Sequence, residues 1–98
     1  MSAMTEQVDE VLAAANALKD EGNTFLQQKQ YSSAAQKYSE AIELRPTAVF
    51  YSNRAMAMIK LESYGSAILD ANESIALDPA YIKAYYRRGS ANFALGKT

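Results

Sequence analysis

Six basic and amide side chains, placed on three predicted helices, have the types and the spacing needed to hold an anion. Lys83 and Arg87 are four residues apart, as are Lys19 and Asn23, so each pair projects from one face of its helix. Cationic groups attract carboxylates, and an asparagine amide can donate to a carboxylate while pairing with a peptide group. The predicted chemistry is binding of an extended peptide that has a free C-terminal carboxylate. The six candidate residues are Lys19, Asn23, Asn53, Lys60, Lys83 and Arg87.

The composition leaves little for catalysis, for metal binding or for bulk attraction of nucleic acid. The 98 residues include no histidine and no cysteine, which removes the commonest general base and the commonest soft metal ligands. Ten basic and eleven acidic residues give a net charge of −1, which argues against a nucleic-acid binder that relies on charge. No apolar run approaches the ~18 residues that span a bilayer. We therefore expect no enzyme activity, cofactor, metal, nucleic acid or membrane partner, and a location in the cytoplasm with the nucleus as a second compartment.

Apolar residues recur at three- and four-residue steps along the chain, which is the period of amphipathic α-helices. The polar start predicts a disordered N-terminal end over residues 1–9, although the helical pattern already begins at Val8. The first helix should end near residues 28–30, and the second, capped by Ser32, should stop at Pro46. No segment resembles a strand pair with a hairpin turn, so the fold class is all-α. The later helices are predicted over about 48–61, 64–77 and 81–96.

The chain repeats itself with a period of 33 to 34 residues, which indicates stacked supersecondary units. Two residues of the second unit, Tyr51 and Ala55, recur 34 positions later as Tyr85 and Gly89. We expect a domain over residues 10–98, with two complete repeats at about 15–47 and 48–81 and a third that has only its first helix, at 82–98. Packing positions of the first unit recur 33 residues later in the pairs Leu18/Tyr51, Gly22/Ala55, Phe25/Met58, Tyr31/Tyr64, Ala34/Ala67 and Pro46/Pro79.

The six candidate residues share one side of the first helix of each repeat. At ~100° per residue they lie ~100° to ~200° away from the packing side. In a stack of such units the first helices lie side by side and line a concave groove, where Asp20 is the nearest acidic neighbour. Tyr38 should pack with its hydroxyl at the edge of the core. Four carboxylates of the second helices are expected to face solvent: Glu40, Glu43, Asp70 and Glu73.

The period, the small residues and the prolines resemble the tetratricopeptide repeat, which implies antiparallel helix-turn-helix repeats stacked into a superhelix. Within that family the chain resembles domains with a two-carboxylate clamp, which bind the C-terminal Glu-Glu-Val-Asp tails of the seventy- and ninety-kilodalton heat-shock chaperones. Five positions match this clamp in type and order, namely Lys19-x-x-x-Asn23, Asn53 and Lys83-x-x-x-Arg87.

The resemblance also implies a role for each clamp position. The asparagines and the first lysine would hold the terminal carboxylate, and Lys83 with Arg87 would hold upstream backbone or acidic groups. Lys60 corresponds to a further basic position of several such domains.

Residues 62–68 and 81–89 resemble the N-terminal domains of the protein phosphatase 5 family, in which this domain docks chaperones and covers the phosphatase active site. The resemblance implies a regulatory and targeting part of such an enzyme. Two alternatives remain open: a repeat segment of a non-enzymatic co-chaperone, and a structural repeat used for self-assembly. Because the third repeat has only its first helix, we also expect self-association or helix exchange through that helix.

Overall fold

The computed structural model describes residues 3–97, with side chains from residue 10 onward, and these residues form five α-helices and no strand. This confirms the all-α prediction. Helix α1 begins at Ala3, and residues 1 and 2 lie outside the described part. The expected disorder of residues 1–9 stays a prediction. The five helices are α1 (Ala3–Gln27), α2 (Tyr31–Leu44), α3 (Ala48–Lys60), α4 (Tyr64–Leu77) and α5 (Ile82–Gly96).

The turns within the two complete repeats have the same backbone form. Lys29 and Glu62, which are 33 positions apart, both have a φ of 61°. Each turn has the paired hydrogen bonds of a Schellman motif: for the second, the N–H of Ser63 donates to the carbonyl of Met58 at 2.8 Å. The two turns therefore reverse the chain in the same way, and they set each second helix antiparallel to the first.

The predicted cap at Ser32 is wrong, because α2 already begins at Tyr31. Gln30 is the residue before the helix, and its side chain makes no capping bond. The backbone of Gln30 is bonded to both helices. Its N–H donates to the carbonyl of Phe25, and its carbonyl accepts from the N–H of Ala34. These hydrogen bonds hold the turn between α1 and α2, and α2 begins without a side-chain cap.

The connections between repeats explain why the period changes from 33 to 34 residues. Three residues, 45–47, join α2 to α3, whereas four residues, 78–81, join α4 to α5. A proline stands in each connection and prevents the preceding helix from continuing. Thr47 starts α3, since its hydroxyl accepts a hydrogen bond from the N–H of Phe50 at 3.1 Å.

Alanine dominates the buried core, and the helices therefore approach closely. Three clusters of buried residues lie along the stack, and each includes at least one alanine from a second helix. Two large side chains are fully buried among them: Phe50, against Ala15 and Ala41, and Tyr38, against the alanines of α2 and α3. These two rings fill most of the space that the small residues leave.

Gly22 lies directly against the ring of Tyr38. A Cβ placed on this glycine would lie 2.6 Å from Cε1 and 2.8 Å from Cδ1 of that ring, which is closer than carbon atoms tolerate. The glycine is therefore required by the close approach of α1 and α2.

Helix α5 exposes a face whose counterpart on α3 is buried or partly buried. Ile82 is 80% exposed, whereas Ala48, the matching residue 34 positions earlier, is 8% exposed. Phe93 is also largely exposed, and a Cβ on Gly89 would meet no described atom within 4 Å. These residues form the stripe that we call the α5 face: Ile82, Tyr86, Gly89 and Phe93.

Replacing Gly22 by alanine should destabilise the protein by about 1–3 kcal/mol, the usual cost of overpacking a close-packed core. The matched control is Gly89→Ala, which adds the same methyl group in open space and should stabilise α5 by about 0.5–1 kcal/mol. Urea unfolding measures both changes. Equal effects of the two substitutions would contradict the packing described for Gly22.

Candidate peptide-binding groove

The six predicted site residues lie on α1, α3 and α5, the first helices of the repeats. Lys19 and Asn23 are one turn apart on α1, and Asn53 lies in the middle of α3. Lys83 and Arg87 occupy the first half of α5, while Lys60 is the last residue of α3.

Two asparagines from different repeats meet in the groove. The Nδ2 group of Asn53 donates to Oδ1 of Asn23 at 3.4 Å, although the two residues are 30 positions apart. Both side chains are partly buried, so they are held by their neighbours while one side stays open. The contact brings two amide groups, with their remaining N–H donors, to one point of the surface.

Tyr38 reaches the same point from the core. Its hydroxyl donates to Oδ1 of Asn23 at 2.5 Å, and the residue is 0% exposed. Burial raises the pKa of Tyr38 to about 12, so the hydroxyl remains a neutral donor at physiological pH. The expectation that this hydroxyl lies at the edge of the core is therefore wrong, because the antiparallel packing of α1 and α2 encloses it.

Lys19 makes an ion pair with its neighbour Asp20, at 3.5 Å between Nζ and Oδ1. The Asp20 side chain is 72% exposed, and ion pairs in such surroundings contribute little. A carboxylate bound in the groove can therefore take the lysine from Asp20 at small cost.

Arg87 has an unsatisfied donor. Its Nε is buried and has no hydrogen-bond partner within the described part of the chain, and its guanidinium lies 5.9 Å from the centre of the Tyr86 ring. A buried charged donor without a partner is rare in proteins.

Within residues 10–97, four of the six residues make no hydrogen bond or ion pair with the asparagine pair, including Lys19, whose ion pair is with Asp20. Lys60 and Lys83 are exposed, and no hydrogen bond or ion pair within residues 10–97 joins Lys60, Lys83 or Arg87 to Asn23 or Asn53. The groove thus has one assembled end, at the asparagines, and separate cations on α3 and α5.

A second polar network holds α3 in place behind the groove. The Arg54 guanidinium donates to both carboxylate oxygens of Asp70, at 2.9 and 2.7 Å, and to the hydroxyl of Ser39 at 3.0 Å. The hydrogen bonds to Asp70 raise the pKa of Arg54 above its ordinary value, against the desolvation that lowers it. The guanidinium also lies 5.4 Å from the centre of the Tyr51 ring. The network ties α3 to α2 and α4, and so fixes the helix that carries Asn53.

Asp70 therefore corrects the expectation that the second-helix carboxylates face solvent. It is 6% exposed because α3 presents a cation to it, whereas Glu43 and Glu73 are exposed as predicted. Glu40 is partly buried and lies 3.9 Å from Nζ of Lys37.

A cavity of about 540 Å³ lies elsewhere, between α3 and α4, with Arg54, Leu69 and Asp70 in its wall. It contains none of the six predicted site residues. Extended peptides bind along open surfaces rather than in closed cavities, so this does not conflict with a peptide groove on the first helices.

Two further kinds of feature, a metal-binding cluster and a membrane-spanning helix, are absent from the described residues. They contain no group of three acidic side chains placed to hold a metal ion. Within the same part of the chain, each helix is too short or too polar to cross a membrane.

Two important residues, Tyr38 and Asp70, were missed as polar partners. The numbering can carry a signal, since antiparallel helices pair residues that lie at equal distances from the turn. Arg54 and Asp70 each lie eight residues from the turn at Glu62, whereas Asn23 and Tyr38 lie six and nine residues from the turn at Lys29, so the signal is clear only for Asp70.

The sequence is similar to parts of longer proteins of known name. No protein-family model matches the chain. Human serine/threonine-protein phosphatase 5 is 47% identical over 90 residues, which cover 91% of this chain and 18% of that protein. Small glutamine-rich tetratricopeptide repeat-containing protein 2 of Saccharomyces cerevisiae is 44% identical over 89 residues, which cover 90% of this chain and 26% of that protein. The chain thus spans only 18% and 26% of the length of these two relatives.

Solved structures show the same architecture. The second TPR of Spaghetti (RPAP3), bound to the HSP90 peptide SRMEEVD, has a TM-score of 0.86 at 36% identity and covers 93% of this chain and 85% of that chain. The second TPR domain of human RPAP3, in complex with the HSP70 peptide SGPTIEEVD, has a TM-score of 0.80 at 39% identity. That match covers 85% of this chain and 70% of the other.

The buried hydroxyl of Tyr38 predicts a loss of stability at alkaline pH. Because the pKa is raised to about 12 in the folded state, stability from the protonated hydroxyl is complete below about pH 10, the value for a free tyrosine. It falls as the pH rises from about 10 towards 12. Urea unfolding between pH 9 and 11 should therefore show the wild type approaching Tyr38→Phe in stability. A constant gap for Tyr38→Phe would contradict the enclosed hydroxyl.

Proposed function

The chain belongs to the tetratricopeptide repeat family, and we propose that it binds the C-terminal Glu-Glu-Val-Asp tails of the ninety- and seventy-kilodalton heat-shock chaperones through a two-carboxylate clamp. The observation that carries the proposal is the contact between Asn23 and Asn53, which joins amide donors of two repeats beside the lysine of α1. Two structures similar to this chain contain HSP90 and HSP70 peptides that end in the same four residues, which supports the choice of ligand.

In the proposed complex the terminal carboxylate lies against Asn23, Asn53 and Lys19. The amides donate hydrogen bonds, and the lysine supplies the charge after leaving Asp20. Lys83 and Arg87 take the upstream backbone and acidic side chains of the tail, which gives the orphaned donor of Arg87 a partner. Lys60 adds positive charge nearby. The attraction depends on exposed charges, so salt should weaken it.

We further propose that the parent chain is a protein phosphatase 5-like enzyme and that this domain serves its regulation and targeting. The support is the 47% identity to the human phosphatase over 90 residues. The alternative is a non-enzymatic co-chaperone, supported by the 44% identity to the yeast glutamine-rich protein. The coding sequence that follows residue 98 separates the two, since only the first parent has a phosphatase domain. Location in the cytoplasm, with the nucleus as a second compartment, stays a prediction.

Calorimetric titration with the peptide Met-Glu-Glu-Val-Asp tests the clamp. The free acid should bind, and the same peptide with an amidated C-terminus should bind far more weakly. Arg87→Ala should weaken binding of the free acid by about 1.5–3 kcal/mol, as expected for a charged hydrogen bond. Arg88→Ala is the matched control, because Arg88 already donates to Asn72 at 3.1 Å. Equal binding of acid and amide, or binding of neither, would contradict the clamp.

A second candidate function, self-assembly, is favoured by the exposed α5 face. We propose that its occupant is a second copy of the chain, which contributes the acidic side of its second helices. Helix α5 carries Lys83, Arg87 and Arg88 and no acidic residue, so two α5 helices repel each other. The exposed Glu43 and Glu73 of another copy offer the complementary charge.

Sedimentation velocity over a range of protein concentrations tests this assembly. We expect reversible association of the wild type that weakens with salt, because the contact combines apolar and charged groups. Ile82→Glu should abolish the association, while Glu21→Gln, on a helix outside the proposed contact, should leave it unchanged. A wild type that remains monomeric at high concentration would rule the assembly out.

A further inference from the structure

We infer that Tyr38 is a positioning residue of the groove, whose buried hydroxyl orients the amide of Asn23 so that the Nδ2 group faces the bound carboxylate. The inference rests on the proposed function of the groove, and it adds a residue that lies in the core rather than on the peptide-binding face.

The hydrogen bonds at Asn23 determine the orientation of its amide. Oδ1 of Asn23 accepts from the hydroxyl of Tyr38 at 2.5 Å and from Nδ2 of Asn53 at 3.4 Å. If the amide were reversed, two NH2 groups would face each other and the tyrosine proton would lose its acceptor. With Oδ1 occupied by two donors, the remaining face of the amide is its Nδ2 group. That group is the one that a carboxylate requires.

The hydroxyl can orient the amide because it is buried and does not contact solvent. Tyr38 is fully buried, so a hydroxyl that did not donate to Asn23 would be an unsatisfied buried donor. The ring itself is held on the α1 side by Gly22 and within a cluster that includes Ala34 and Ala57. Close packing on several sides fixes the position of the hydroxyl, and through it the position of Asn23.

Internal repetition shows that Tyr38 and Asn23 occur together in the first repeat and are both replaced in the second. The residue 33 positions after Tyr38 is Ala71, which is also fully buried, so the second repeat packs at this place without an aromatic ring. The residue 33 positions after Asn23 is Met56, which has no amide to orient. The ring also accompanies Gly22, which is replaced by Ala55 in the second repeat, so the packing partner and the hydrogen-bonding partner of Tyr38 change together.

The first test is Tyr38→Phe, which removes the hydroxyl and keeps the ring. Affinity for the free-acid peptide Met-Glu-Glu-Val-Asp should fall roughly tenfold, the order expected when a hydrogen bond to a charged group is weakened. The amidated peptide should lose much less. In an Asn23→Ala background the same substitution should change the affinity little, because no amide remains to be oriented. Tyr64→Phe, which removes the hydroxyl of another partly buried tyrosine, is the matched control and should bind as the wild type.

The second test is Asn23→Asp, which keeps an oxygen that can accept from Tyr38 and removes the Nδ2 donor. This variant should fold as the wild type and lose binding of the free acid, with a larger loss than Asn23→Ala, since two carboxylates then face each other. It remains informative if Tyr38→Phe does not fold. Binding of the free acid by Asn23→Asp at wild-type affinity would overturn the inference.

A readout without peptide separates this inference from the proposed function. In the free protein, the side-chain amide signals of Asn23 should shift between wild type and Tyr38→Phe, and those of Asn72, which lies outside the groove, should not. If the wild type prefers the free acid but Tyr38→Phe binds equally well and the Asn23 signals stay in place, Tyr38 has no positioning role although the clamp stands. If the wild type does not prefer the free acid, the clamp fails and with it the positioning role towards a carboxylate, whatever the Asn23 signals show.

Discussion

The contact between the ring of Tyr38 and the backbone of Gly22 is the constraint on which both the fold and the groove depend. The glycine lets α1 and α2 approach until the ring fills the space of the missing side chain. At that separation the hydroxyl on the same ring comes within 2.5 Å of Asn23. One side chain thus links the packing of α1 and α2 to the position of the Asn23 amide, since a change in helix separation that relieved the ring would also move the hydroxyl away from the amide.

The second asparagine depends on a different kind of interaction. Asn53 lies on α3, and Arg54, the next residue, joins that helix to Asp70 on α4 and to Ser39 on α2. A partly buried, bidentate ion pair contributes orientation more than stability, because desolvation of the charges offsets much of their attraction. Helix α5 has fewer such ties. Among the described residues, Arg88 joins α5 to Asn72 on α4 at 3.1 Å, and because this hydrogen bond is exposed we expect α5 to open more readily than α1 and α3.

The helices and the repeat could be predicted because apolar residues recur with the period of a helix and prolines stand between the repeats. The predicted bounds of α3 and α4 differ from the observed ones by at most one residue. What could not be predicted from these patterns was the partner of each polar residue. Periodicity gives the face of a helix on which Asp70 lies, but its burial follows from the cation that α3 places opposite. Tyr38 was predicted to pack, yet the exact reach of its hydroxyl requires the helix separation, which depends on Gly22. The grouping of Asn23 with Asn53 was expected from the shared sector and is present in the structure.

The central claim is that the paired amides of Asn23 and Asn53 hold the terminal carboxylate of a peptide. The most direct measurement is an NMR titration of the side-chain amide groups with a peptide that ends in Glu-Glu-Val-Asp. Our account predicts that the NH2 signals of these two asparagines move together and saturate with the peptide, and that they do not move with the amidated form. Saturable shifts confined to residues around the cavity between α3 and α4, with the asparagine signals unchanged, would contradict it.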